Sequence, residues 1–122
     1  MVALRILLVD DEEDLVAPMV ERLTLRGFEA EGVLTGEEAV ERVSEKEYDV
    51  VVLDLKMPGL SGYELLRSIK TKRPNVPVIV ITGHGAIRDG EQAVKDGAFE
   101  YLVKPFDIET LIDVMKQSTQ SD

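Results

Sequence analysis

The 122-residue sequence contains no cysteine, which excludes disulfide bonds and thiolate metal sites and fits a reducing compartment such as the cytosol. It also has no stretch close to the roughly 20 apolar residues that a membrane-spanning helix requires. No basic segment followed by an apolar one marks a signal peptide. We therefore expect a cytoplasmic protein that does not associate with membranes.

Basic residues are scarce: 14 lysines and arginines stand against 24 aspartates and glutamates, for a net charge of −10. This balance argues against direct binding of nucleic acid or of an anionic membrane. It is compatible with binding a cation or a basic partner, and equally with a charge that only keeps the protein soluble. The length suits a single domain spanning residues 1–122, with a core over about 4–117 and residues 118–122 as a polar tail or the start of a linker.

Apolar runs alternate with helical patterns along the whole chain. Four apolar runs stand out, and three of them lack polar alternation, as do strands buried on both faces of a parallel sheet. A fifth, weaker run has the partial alternation of an edge strand. The predicted strands are Leu4–Val9, Phe28–Leu34, Val50–Leu53, Val76–Ile81 and Phe99–Val103. Five such β-α units predict an α/β fold with a five-stranded parallel sheet and helices on both faces.

The helices carry recognisable start signals. Capping boxes at Thr35–Glu38 and Ser61–Glu64 precede two of them, and Asp107 is placed to cap the last. Pro18 lies within the first helix, which therefore either begins near residue 14 or kinks. The segment Ala86–Lys95 contains a glycine and few core residues, so we expect it to be the least stable helix.

Polar side chains follow four of the predicted strands. Asp10 and Asp11 follow the first, Asp54 the third, Thr82 the fourth and Lys104 the fifth. In open α/β sheets the ligand site lies beyond the carboxyl ends of the strands, where the strand order reverses. We therefore expect three carboxylates, a hydroxyl and an ammonium group in one crevice.

Crowded carboxylates raise one another's pKa unless a cation lies between them. Mg²⁺ is a hard cation that takes oxygen ligands while keeping some of its waters. With the charge neutralised, one aspartate can attack phosphorus, and the cation, Lys104 and Thr82 can hold the oxygens of the phosphoryl group.

This set of residues, in this order and placement, resembles the receiver domain of two-component response regulators over about residues 4–117. The stretch "TGHG…AVKDGAFEYLVKPF" is most similar to receivers of the nitrogen-regulator type. The resemblance implies a doubly wound sheet with strand order 2-1-3-4-5. It implies phosphorylation of Asp54, with Mg²⁺ or Mn²⁺ bound by Asp11, Asp54 and the backbone carbonyl of Lys56, and with Asp10 assisting through water.

The resemblance also assigns roles outside the acidic residues. Lys104 would pair with the phosphoryl group and Thr82 would hydrogen-bond it, while Tyr101 falls at the position of the switch aromatic. Lys104–Pro105 would be a cis peptide. Lys56 and His84 stand two residues after Asp54 and Thr82, so we expect them to influence dephosphorylation.

The implied partners are a sensor histidine kinase or a phosphotransfer protein. The exposed face of helix 4, strand 5 and helix 5 would switch to control an output domain or a partner, or would form a phosphorylation-dependent homodimer. The domain would catalyse only its own phosphorylation and autodephosphorylation. Whether it acts alone or was excised from a longer protein stays open.

Several simpler interpretations compete with these assignments. The carboxylates of Glu12, Glu13 and Asp14 are best explained by the positive N-terminus of a helix, and Gly59 and Gly62 by a turn after Pro58. A haloacid-dehalogenase-like phosphatase would need a second aspartate where Lys56 stands. A flavodoxin-like carrier would need a phosphate-binding first loop, which these acids would repel, and a non-phosphorylated binding module would be expected to lack part of the set.

Overall fold

The computed structural model describes residues 3–57 and 61–120. Five strands alternate with five helices in these residues, and a single 3₁₀ turn at His84–Ala86 precedes the fourth helix. In chain order they are β1 (Arg5–Val9), α1 (Glu13–Leu25), β2 (Glu29–Val33), α2 (Gly36–Glu45), β3 (Val50–Asp54), α3 (Gly62–Lys72), β4 (Val78–Thr82), α4 (Ile87–Lys95), β5 (Glu100–Val103) and α5 (Ile108–Thr119).

The strands form one parallel sheet in the order β2-β1-β3-β4-β5. The predicted α/β fold and strand order are therefore confirmed, with strand bounds that shift by up to two residues. Asp54 and Thr82 are the last residues of β3 and β4 rather than the residues that follow them. The strand order reverses between β1 and β3, and this reversal positions the site.

Alternating side chains along each strand supply two cores, one on each face of the sheet. Ile6 and Leu8 pack with α1 and α5, whereas Leu7 and Val9 pack with α2, α3 and α4. All four residues are at most 1% exposed. The uninterrupted apolar run of β1 follows from this, since both faces of a central strand lie under helices.

The hydroxyl caps of the two predicted capping boxes form. The Thr35 hydroxyl accepts a hydrogen bond from the Glu38 N–H (3.1 Å), and the Ser61 hydroxyl accepts one from the Glu64 N–H (3.2 Å). Asp107 occupies the N-cap position of α5, but its side chain accepts no hydrogen bond from the described helix. The carboxylate cap expected there is therefore absent from the described residues.

Three further expectations need correction or lie outside the description. Helix α1 begins at Glu13, so Pro18 is its sixth residue and lies in the second turn rather than the first. Helix α5 continues to Thr119, so residues 118 and 119 are helical and not part of a polar tail. The turn expected at Pro58–Gly59 lies outside the described residues, while Gly62 is the first residue of α3.

The negative charge is unevenly distributed over these elements. Residues 1–47, which include β1, α1, β2 and α2, contain 13 acidic and 5 basic side chains, or −8 of the net −10. The other residues are nearly neutral. Because β2 is an edge strand, the acidic half is one side of the molecule. No helix within 3–57 or 61–120 has the length and apolar character needed to cross a membrane.

Candidate functional site

Four chain segments bring polar side chains to the carboxyl edge of the sheet. Asp10 follows β1, Asp54 ends β3, Thr82 ends β4 and Lys104 follows β5. The Lys104 N–H donates to the Thr82 carbonyl (2.8 Å), which continues the β4–β5 pairing to the edge. The parallel sheet therefore gathers these four residues as strand-end placement predicts.

Lys104 joins the two buried carboxylates of the site. Its Nζ lies 3.1 Å from Asp10 Oδ2 and 3.2 Å from Asp54 Oδ2. Asp10 is 0% exposed and Asp54 6%, so each carries a charge that is costly to bury without a partner. The ammonium group is therefore the charge partner of both aspartates.

Backbone N–H groups fix the other oxygen of each aspartate. Asp10 Oδ1 accepts from the Glu12 N–H (3.0 Å) and Asp54 Oδ1 accepts from the Lys56 N–H (3.0 Å). Each carboxylate thus has one oxygen held by the loop that follows it and one directed at Lys104. The backbone of Lys56 consequently lies next to Asp54, while its side chain is exposed.

The pKa values reflect this crowding. Burial raises the pKa of Asp10 and the nearby Asp54 charge adds to the rise, although the Glu12 N–H and Lys104 oppose it. Burial alone would lower the pKa of Lys104, but its hydrogen bonds to Glu12 and Asp10 and the Asp54 charge outweigh burial, so the pKa is raised. The site therefore holds a firmly protonated ammonium group among competing carboxylates.

The third carboxylate of the cluster belongs to Glu12, not to Asp11. Glu12 Oε1 lies 2.9 Å from Lys104 Nζ, and the hydrogen bond to Lys104 lowers the pKa of Glu12. Carboxylate oxygens of Asp10, Glu12 and Asp54 all lie within 4.8 Å of one another. Asp11 is exposed and lies outside this cluster. Three carboxylates in this space fit the oxygen ligands that Mg²⁺ prefers.

Sequence reasoning assigned Glu12 to the start of a helix, and this assignment is incomplete. Glu12 is the N-cap residue of α1, but its side chain also reaches a lysine 92 residues away. A weak signal was present, since Glu12 stands two residues after Asp10, the spacing at which an aspartate side chain accepts a hydrogen bond from the backbone that follows it. It is indistinct in the sequence because five consecutive residues are acidic.

Thr82 links the end of β4 to the loop after it. Its buried hydroxyl donates to the Ala86 carbonyl (2.8 Å) across the 3₁₀ turn. His84 lies within this turn and is exposed. The hydroxyl is thus occupied by the loop in this structure, and any other acceptor must compete with the Ala86 carbonyl.

Tyr101 and the Lys104–Pro105 peptide complete the residues expected at the site. Tyr101 is half-buried on β5, and its ring lies so close to Gly90 of α4 that a Cβ there would be 2.7 Å from two ring carbons. The Lys104–Pro105 peptide bond is cis. The strand that leads into Lys104 therefore carries the aromatic ring that contacts α4.

Comparisons with known proteins agree with this geometry. The family model described as "Response regulator receiver domain" matches residues 6–116. The response regulator protein FleR of Pseudomonas aeruginosa is 35% identical over 113 residues, which cover 93% of this chain and 24% of FleR. The transcriptional regulatory protein TcrA of Mycobacterium tuberculosis is 37% identical over 107 residues, covering 88% of this chain and 42% of TcrA.

Solved structures show the same likeness. The receiver domain of NtrX from Brucella abortus is 32% identical with a TM-score of 0.90, and the alignment covers 96% of this chain and 99% of that one. The chain spans only about a quarter to a half of the curated relatives it matches. The family match over nearly the whole sequence, together with the fold and the strand-end residues, shows that the chain belongs to the response regulator receiver domains of two-component systems.

Proposed function

We propose that this domain accepts a phosphoryl group onto Asp54 from a phosphohistidine of a sensor histidine kinase or phosphotransfer protein. The observation that carries this proposal is the placement of Asp54 at the end of β3, with one oxygen held by the Lys56 N–H and the other paired with Lys104. A carboxylate oriented from both sides is positioned for attack, and phosphoryl transfer depends mainly on positioning and charge neutralisation.

The transfer forms a bond between a carboxylate oxygen of Asp54 and phosphorus while the phosphorus–nitrogen bond to the histidine breaks. The electron pair of that bond leaves with the imidazole. Lys104 already lies 3.2 Å from Asp54 Oδ2, so its ammonium group is close enough to neutralise charge on the transferred group. Thr82 is assigned a hydrogen bond to the phosphoryl group, for which its hydroxyl must leave the Ala86 carbonyl.

Mg²⁺, or Mn²⁺ in its place, is the proposed cofactor. Asp11, Asp54 and the Lys56 backbone carbonyl are its proposed ligands, with Asp10 assisting through water, and the exposed side chain of Asp11 must turn inward to bind. When bound, the ion supplies the positive charge that allows a phosphoryl group to approach these carboxylates. The clustered oxygens of Asp10, Glu12 and Asp54 support a divalent cation here.

The proposed output is a shift between existing conformations that the phosphoryl group favours. Thr82 and Lys104 move towards phosphorylated Asp54, the loop after β4 follows, and Tyr101 turns inward. The face of α4, β5 and α5 then controls an output domain or a partner, or forms a homodimer. No external substrate is turned over, and the domain acts as a cytoplasmic signalling phosphoacceptor without contacting nucleic acid or membrane.

Labelling with acetyl phosphate and Mg²⁺ tests the acceptor. The Asp54→Asn variant should take up no stable phosphate, whereas Asp113→Asn, an exposed aspartate of α5, should be labelled like the wild type. Stoichiometric labelling of Asp54→Asn would contradict the proposal. Gel filtration with and without beryllofluoride tests the homodimer separately, since an unchanged elution volume excludes it without affecting the acceptor.

Lys104→Ala separates acceptance from output. This variant should still be phosphorylated, although more slowly, because Asp54 keeps its hydrogen bond from the Lys56 N–H, but the backbone amide shifts of α4 on phosphorylation should be much smaller than in the wild type. Wild-type shifts in Lys104→Ala would contradict its coupling role.

A further inference from the structure

We propose that Glu12 is a positioning residue that competes with the phosphoryl group for Lys104, and so limits how tightly phosphorylated Asp54 is held. This inference rests on the proposed phosphoacceptor role of Asp54. It concerns a carboxylate that is neither the acceptor nor an assigned cation ligand.

The Lys104 ammonium group has no spare donor in this structure. It carries three N–H bonds, and three carboxylates lie within hydrogen-bond distance: Glu12 at 2.9 Å, Asp10 at 3.1 Å and Asp54 at 3.2 Å. The contact with Glu12 is the shortest of the three. Phosphorylation removes the charge of the Asp54 carboxylate and frees the donor that faces it, but a second donor reaches the phosphoryl oxygens only if Asp10 or Glu12 leaves Lys104.

Burial indicates which carboxylate leaves. The side chain of Asp10 is 0% exposed and that of Asp54 is 8% exposed, whereas that of Glu12 is 61% exposed. Releasing Asp10 would leave a buried charge with one partner fewer, at high cost. Glu12 can turn into water, where its charge is solvated, so the phosphoryl oxygen takes its place.

The backbone keeps Glu12 close enough to return. Its carbonyl accepts hydrogen bonds from the N–H groups of Leu15 and Val16 (2.9 and 3.0 Å), and its own N–H donates to Asp10 Oδ1 (3.0 Å). The main chain is therefore fixed on both sides while the side chain is free to move. Glu12 consequently competes for Lys104 at a high local concentration.

The charge and the length of the side chain both enter this mechanism. Glu12→Gln keeps the length but removes the charge, and Glu12→Asp keeps the charge but shortens the reach by one methylene. If Glu12 acts through its contact with Lys104, both changes should strengthen binding of beryllofluoride in the presence of Mg²⁺. Because Glu12 is largely exposed, we expect a decrease of about two- to fivefold in the dissociation constant.

The experiment is a beryllofluoride titration at saturating Mg²⁺, followed by the amide signals of Thr82 and Lys104 in two-dimensional NMR. Glu13→Gln removes the same charge from the adjacent exposed position and should leave the dissociation constant unchanged. The ammonium signal of Lys104, recorded without beryllofluoride, should exchange faster with water in both Glu12 variants than in the wild type.

Three results would overturn the inference. Unchanged affinity in Glu12→Gln shows that Glu12 does not compete, and tighter binding in Glu12→Gln and Glu13→Gln alike shows a general effect of charge. A Glu12→Asp variant that behaves like the wild type leads to the same rejection. If the wild type itself binds no beryllofluoride, the proposed function fails. That outcome is distinct from failure of the present inference, in which the wild type binds beryllofluoride and the Glu12 variants bind it with the same dissociation constant.

Discussion

At the scale of single residues, we expect the exposed side chains of Lys56 and His84 to flank the position where water approaches a phosphorylated Asp54. They follow Asp54 and Thr82 by two residues, and both are bulky and able to carry positive charge. We expect Lys56→Ala and His84→Ala to shorten the phosphoryl lifetime several-fold, because each opens a path for the attacking water. The measurement is loss of label after the donor is removed, with Arg88→Ala, an exposed cation of α4, as control. Unaltered lifetimes in both variants would reject the idea.

Three neighbouring side chains bind the carboxylate of Glu31 on β2 and affect its pKa. It accepts hydrogen bonds from Arg42 (3.0 Å), Tyr48 (2.8 Å) and Lys46. The bond from Lys46 is the main cause of its lowered pKa, together with Tyr48 and Arg42 and against the effect of burial. A lowered pKa in the folded protein means that the stabilisation is present above the ordinary value of 4.5 and is lost as pH falls through the folded pKa.

Glu31→Gln should therefore lower the free energy of unfolding by about 1 kcal/mol at pH 7. The difference from the wild type should shrink once the pH falls below 4.5, the ordinary pKa. Urea unfolding between neutral and acidic pH measures both. Glu41→Gln, on the exposed side of α2, should show neither effect, and a constant difference at every pH would exclude the ionic contribution of Glu31.

Sequence reasoning placed most of the site because strand ends can be identified without a structure. Asp10, Asp54, Thr82 and Lys104 each end or follow an apolar run, and a parallel sheet brings such positions to one edge. The position of Glu12 beside Lys104, in place of Asp11, could not be predicted in this way. It depends on the backbone angles between β1 and α1 and on the reach of Lys104, which no local pattern encodes.

At the scale of elements, two aromatic side chains contact α4. Tyr101 of β5 lies against Gly90, and the Tyr63 hydroxyl of α3 donates to the Asp89 carbonyl (2.9 Å). The two contacts fall on consecutive residues of a nine-residue helix. The absence of a side chain at Gly90 therefore decides how closely the ring and the helix approach.

Gly90→Ala should destabilise the protein by about 1 kcal/mol, since overpacking costs more than the gain in helix propensity. In a Tyr101→Ala background the same change should instead stabilise it by about 0.5–1 kcal/mol, because only the propensity gain is left. Urea denaturation of the four proteins measures the reversal. A stabilising effect of Gly90→Ala in the wild-type background would show that the ring moves aside freely.

The fold was predictable at this scale because periodicity and capping act locally. The order of strands and helices and two helix caps follow from short patterns. Short patterns do not predict the second-turn position of Pro18 or the extension of α5 through Thr119. The helix of Pro18 begins one residue earlier than its local signals suggest, and residues 118 and 119 are polar yet make hydrogen bonds to the preceding turn.

At the scale of the whole molecule, the acidic half adds a repulsion that salt should weaken. Raising NaCl from about 0.02 M to 0.5 M shortens the screening distance several-fold, so we expect Tm to rise. A gain of about 1 kcal/mol corresponds to roughly 4 °C in a domain of this size. Thermal unfolding with a chelator present measures the effect of charge without that of a bound cation.

A pair of exposed charge reversals locates the effect. Glu41→Lys lies in the acidic half and Glu91→Lys in the nearly neutral half. Glu41→Lys should raise Tm at low salt more than Glu91→Lys does. At high salt the changes in Tm caused by the two substitutions should become similar. Equal effects at low salt would show that the repulsion is not localised.

The division of the molecule into a buried sheet and exposed loops also has an evolutionary consequence. The core residues of β1, β3 and β4 are inaccessible, whereas Lys56 and His84, which we predict to influence dephosphorylation, have exposed side chains. If that prediction holds, substitutions at these two positions alter the duration of a signal with little penalty to folding. Selection can therefore set the memory time of such a domain separately from its thermal tolerance.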